Sequence, residues 1–179
     1  MKTLVSKMKS LKLLKVEFVV GAIIMLVSAV AVPLSVFIPD PTLFTNPYVL
    51  GTVFVAALIF CLLGYFLFIR PYYLYRKMPS VLLETDGEYL YVHGNKEAKI
   101  PFSEISKVIV YSELPFIYHR SFIREFIVHV FSEEYGIILL EIPNYGTYKL
   151  RFVAHAEDVK YELVEYFNGI LNNESVAEN

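Results

Sequence analysis

Two unbroken apolar runs, residues 18–38 and 47–69, occupy most of the first third of the chain, and neither contains a charged residue. Each exceeds the roughly 20 residues that an α-helix needs to cross about 30 Å of hydrocarbon. The pattern predicts two transmembrane helices over 16–38 and 47–69, joined by a short outer loop at 39–46. A secretory signal is the rival reading for the first run, but the apolar core of a signal spans only about 7–15 residues and here a second span follows at once, so both runs read as retained helices. Small residues recur at seven-residue spacing, Gly21 with Ser28 and Ala57 with Gly64. Such stripes let backbones approach closely, which predicts an antiparallel hairpin packed on these faces. Pro33 is expected to kink the first helix near its outer end.

Beyond Pro79 the period changes. Seven short stretches rich in Val, Ile, Phe, Tyr and Leu, among them "SVLLET", "EYLYVHG", "REFIVHVFS" and "GIILLEIP", are separated by turn signals such as Asp86-Gly87, Gly94-Asn95 and Asn144-Tyr145-Gly146. Alternation over 107–111 and 124–131 predicts strands there, and the whole reads as a seven-stranded antiparallel meander. Val159, Leu163, Tyr166, Phe167, Ile170 and Leu171 then recur at three and four, with Glu157 and Asp158 in the first turn. This is an amphipathic C-terminal helix closing the end of a bent sheet. Residues 173–179 form a polar tail.

Composition divides the chain at the same place. Hydrophobic residues make up 56% of it, yet sixteen of its eighteen acidic residues follow Pro79. The basic residues split evenly. Lys2, Lys7, Lys9, Lys12 and Lys15 precede the first apolar run and Arg70, Arg76 and Lys77 follow the second, whereas the connector carries only Asp40. Cytoplasmic flanks collect Lys and Arg, so 1–15 reads as a basic cytoplasmic N-terminus and both termini are placed in the cytoplasm, with the protein multi-pass in the plasma (inner) membrane. Arg70, Tyr72, Tyr73, Tyr75, Arg76 and Lys77 form a basic, aromatic juxtamembrane anchor within a linker over 70–79.

In the order strands, then a capping helix, attached to a two-helix membrane hairpin, the chain resembles the bacterial pleckstrin-homology-like (PH-like) membrane proteins. The residues that carry the resemblance are "LLETDGEYLYVHG", "KIPFSEISKVIVY" and the helix from Glu157. It implies a membrane-anchored α+β protein whose residues 80–172 form a cytoplasmic PH-like barrel of seven strands closed by the C-terminal helix, used as a scaffold or binding module without enzymatic activity. Phosphoinositide-binding relatives use a basic pocket beside the first hairpin, but here that hairpin carries Glu84, Asp86 and Glu88 and no Lys or Arg. After Pro79, eight basic residues stand against sixteen acidic ones, a net charge of −8. That field disfavours phosphoinositide and excludes nucleic acid as a partner.

No glycine-rich phosphate loop, nucleophile motif, HExxH or paired-cysteine site occurs, so no catalytic residue, metal or cofactor is expected. Cys61 alone excludes an internal disulfide. His155, Glu157 and Asp158 point in different directions from a helix start, and His93 and His129 have no second ligand at a recognisable spacing. The segment 114–124, "LPFIYHRSFIR", is unusually apolar for a loop. Phe116, Ile117, Tyr118, Arg120, Phe122 and Arg124 are therefore the candidate contact with a protein partner, a second copy or the bilayer. Three functions fit: an interaction or scaffold module, an immunity or envelope-stress protein acting through its hairpin, and an auxiliary subunit packing its small-residue stripes on foreign helices.

Overall fold

The computed structural model describes residues 1–115 and 121–177, and for residues 121, 123, 124, 127 and 172–177 the backbone alone. The chain divides into two compact units: a helical hairpin, Lys12–Arg76, and an α+β domain assembled from Met1–Leu11 and the chain from Lys77 onward.

The hairpin begins with helix α1, Lys12–Phe37, which continues through Pro33. A 3-10 turn, Pro41–Thr45, follows. Asp40 starts it, accepting hydrogen bonds from the Thr42 amide (3.0 Å) and hydroxyl (2.6 Å). The Asn46 carboxamide oxygen accepts from the Tyr48 amide at 3.0 Å, and Pro47 occupies the first helical position, where its missing N–H costs nothing. Helix α2, Pro47–Gly64, runs through a π-helical turn, Tyr65–Ile69, into α3, Arg70–Lys77. Both α1 and the continuous helix Pro47–Lys77 are long and apolar enough to cross a membrane. Only 11% and 17% of their most apolar stretches are buried, so their apolar surface faces outward, opposite to a soluble core helix.

Small residues bring the two helices together. Gly21, Ser28, Ala57 and Gly64 are all buried. A Cβ on Gly21 would stand 2.7 Å from the Phe68 Cβ and 3.2 Å from the Gly64 carbonyl oxygen, and one on Gly64 would stand 3.0 Å from the Met25 Cγ. The helices pack backbone to backbone there, as the stripes predict.

The α+β domain holds two antiparallel sheets. In the first, β1 (Lys2–Ser6), β2 (Val81–Thr85), β3 (Tyr89–His93) and β4 (Glu97–Pro101) lie in that order. The second contains β5 (Ile109–Glu113), β6 (Tyr135–Ile142) and β7 (Gly146–Ala154). Alternation places Leu90 and Val92 of β3 and Ile138, Leu140 and Ile142 of β6 in the core. Helix α5, Ala156–Ala177, adds Leu163 and Phe167, one turn apart.

Three expectations are corrected. The first strand precedes the hairpin: β1 pairs with β2 through Lys2↔Thr85 to Ser6↔Val81, so part of the basic segment read as a flank is sheet, and among the described residues six strands follow Pro79. The strands form two sheets rather than one closed barrel, and among the described residues one bridge, Lys7↔Val153, links β7 to the segment after β1. Residues 124–131, read as a strand, belong to helix α4, Ser121–Phe131. Strands β5 and β6 pair directly, from Ile109↔Glu141 to Glu113↔Ile137, which leaves no place between them for another strand. Excluded from the ladder, the segment satisfies its backbone polar groups internally as a helix. Ser132, at φ +50°, ends it and returns its N–H to the Val128 carbonyl (2.9 Å). Helix α5 continues to Ala177, through most of the polar tail 173–179.

The segment after β1 stitches the sheets. The Lys7 amide donates to the Ser80 carbonyl (2.8 Å), the Lys7 ammonium to the Met78 carbonyl (2.5 Å), and the Met8 amide to the Phe152 carbonyl (2.9 Å). Burial lowers the Lys7 pKa from its ordinary value. Phe152 adopts φ +62°, a left-handed conformation unfavourable for a bulky residue, and its side chain is buried beside Tyr135 at 5.7 Å between ring centroids. Strain is thus held at the seam by packing on both sides.

Substituting Gly21→Ala is expected to destabilise the hairpin by about 1–3 kcal/mol through overpacking. Gly51→Ala, whose Cβ meets nothing within 4 Å, is the neutral control. Thermal unfolding in mild detergent checks this, and equal midpoints for the two variants would refute the close approach.

Candidate interaction face

Helix α4 is the most exposed apolar element of the α+β domain. Phe122, Phe126 and Val130 recur at intervals of four and are 79%, 56% and 52% exposed. No described residue of α4 belongs to the domain core. Positions 123, 127 and 131 are apolar as well, so apolar residues occupy half the helix circumference, while Arg124, Glu125 and His129 are the polar interruptions after Ser121. Of the residues predicted for this contact, Phe122 is on the exposed face and Arg124 lies on the helix backbone. Phe116, Ile117, Tyr118 and Arg120 lie outside the described residues.

Phe126 and Val130 were not among the candidates. Read as a strand, 124–131 sends Phe126, Val128 and Val130 to one buried side. The spacing Phe122, Phe126, Val130 is equally regular as a helix and is reinforced at 123, 127 and 131, and this longer periodicity is the signal that finds the face.

The juxtamembrane residues gather on a helix rather than a linker. In the hairpin unit, Tyr72 and Tyr73 stack on Phe18 at centroid distances of 5.0 and 6.1 Å, and the Arg70 guanidinium lies 5.6 Å from the Phe66 ring centroid. Arg76 and Lys77 end the same helix and Tyr75 lies within it. At the other end of the hairpin, Ala29, Pro33, Val53, Phe54, Ala57 and Leu58 contribute to an apolar groove of about 330 Å³.

In the first hairpin of the domain, β2–β3, the carboxylates of Glu84 and Asp86 are both engaged. The Asp86 carboxylate accepts from the amides of Tyr89 (2.8 Å) and Glu88 (3.0 Å) and from the Tyr91 hydroxyl (2.8 Å). The Tyr89 amide bond, followed by the Tyr91 hydroxyl, holds the Asp86 pKa below its ordinary value. Donation to Asp86 raises that of Tyr91. Lys99 sits 3.8 Å from the Tyr89 ring centroid and 5.4 Å from that of Tyr91, and His93 lies 3.3 Å from Glu84. The nearest cation is therefore engaged with two aromatic rings beside a carboxylate, an arrangement poor for receiving a phosphate.

Among the described residues no group of three or more His, Cys, Asp or Glu side chains is placed to hold a metal ion. Glu157 pairs with Lys160 at 3.0 Å and accepts from Ser112, which ties α5 to β5. Comparison with protein-family models, curated proteins and solved structures finds no match for this chain.

Because its folded pKa is depressed, Asp86 contributes stability that is present above its unfolded value, ordinarily about 3.9, and lost as pH falls through the folded one. Asp86→Asn is expected to flatten that acid limb while leaving the protein folded near neutrality. Urea unfolding of the full chain in detergent below about pH 4.5 checks this, and identical limbs for both proteins would contradict it.

Proposed function

We propose that the chain is a non-enzymatic, multi-pass protein of the plasma (inner) membrane, with both termini in the cytoplasm and a PH-like interaction or scaffold domain presented there. The observation that carries this reading is α4: an amphipathic helix with Phe122 and Phe126 largely exposed, on a domain tied at two points to a hairpin of membrane length. Exposed contiguous apolar surface of this kind marks a contact site. The 4 + 3 arrangement of antiparallel strands with a C-terminal helix supports the PH-like reading, and the Lys and Arg residues at the start of α1 and the end of α3 support the cytoplasmic orientation of those ends.

A second reading, an auxiliary subunit of a membrane complex, is favoured by the groove beside Pro33. It does not draw on Gly21 and Gly64, which are used within the hairpin itself.

Photocrosslinking in native membranes tests the contact face, with the reactive residue at Phe126 and a control at Glu162 on α5. Adducts at position 126 and not at 162 are the expected result. Their absence from both positions overturns the assignment of α4 as the working surface.

A further inference from the structure

We infer that the apolar face of α4 docks on the lipid bilayer that the chain's own hairpin enters, giving the domain a reversible membrane contact in addition to its covalent ones. This rests on the proposed membrane anchorage and names the occupant of the contact face.

Continuity with the membrane anchor is the first argument. Residues 7–11 join β1 to α1 and residues 78–80 join α3 to β2, connectors of five and three residues. At no more than about 3.5 Å per residue, they hold the domain within a short reach of the lipid surface. The bilayer is then always present at high effective concentration, and even a weak apolar contact is populated. A free protein partner has no such advantage.

Charge is the second argument. The α+β domain, Met1–Leu11 with the chain from Lys77 onward, carries twelve basic and sixteen acidic residues, a net charge of −4 that repels both an anionic leaflet and a second copy of the same domain. Helix α4 carries one Arg and one Glu, so it brings no net charge at neutral pH with His129 uncharged. It can therefore approach lipid without adding to that repulsion, and unlike the basic strands β1 and β7 it does so with large apolar side chains exposed. The residues suit the depth as well: exposed Phe and Val on a short amphipathic helix bury their side chains at the headgroup and acyl boundary while the helix lies in the plane.

The test uses the full chain in vesicles that contain anionic lipid and nitroxide-labelled acyl chains. In a Cys61→Ala background, Phe126→Cys carries a fluorophore, and Glu162→Cys carries the same dye as the control. Quenching several-fold stronger at 126 than at 162 is expected, with Phe122→Glu reducing the signal at 126 to the control level. Because α4 contributes no described residue to the core, these variants leave the domain folded, which its circular dichroism verifies. Equal quenching at the two positions overturns bilayer docking. If position 126 then still crosslinks to a protein in native membranes, whether a second copy or another chain, the interaction face stands with a different occupant. If it crosslinks to nothing, the proposed function falls with it.

Discussion

The pairing of β1 with β2 is the constraint on which the rest of this architecture depends. Five residues at the start of the chain lie beside five that follow two helices of membrane length, so the hairpin is an insertion between adjacent strands of one sheet. Both ends of the hairpin must then lie on the same side of any bilayer it crosses, whatever the distribution of positive charge. The same segment supplies Lys7 and Met8, whose amides reach Ser80 on one side and Phe152 on the other. A single short stretch thus completes the first sheet, joins it to the second and leads into α1.

Each unit settles its polar groups in its own way. Within the hairpin, Asp40 and Asn46 satisfy exposed helix-start amides at the turn, and small residues let the helices approach where side-chain packing alone would hold them apart. In the α+β domain, the sheets satisfy the backbone, and Glu84 and Asp86 of the first hairpin are held by neighbours. Helix α4 is the exception: its backbone is helical, yet Phe122, Phe126, Val128 and Val130 remain in the open.

Much of this was legible in the sequence because the signals are local. Apolar runs without charge define the hairpin, Asp86-Gly87 and Asn144-Gly146 mark turns, and short stretches rich in Val, Ile, Leu and Tyr between turn signals mark β3 and β6. The misreadings arise where a segment's state depends on what is free to pair with it. Lys2–Ser6 lies among the lysines that read as a basic flank, and its partner is more than seventy positions away in the chain. Residues 124–131 alternate well enough for a strand, but β5 and β6 occupy one another. Phe122, a candidate from the sequence, lies on the exposed face of α4, whereas the extension of that face to Phe126 and Val130 depended on seeing the helix.

The insertion also sets an order on biogenesis. The ribosome delivers β1 first, yet its partner strand leaves the tunnel only after both hairpin helices have been made, so β1 must wait through the synthesis of the entire hairpin. Closing so long a loop is unfavourable for a free chain, and an already paired hairpin shortens it in effect by bringing its ends together. A chain with only one helix across the bilayer would strand β1 and β2 on opposite sides and leave the edge of β2 bare. In a hairpin that enters a bilayer, a failed crossing of one helix would thus leave an edge that aggregation or proteolysis can recognise.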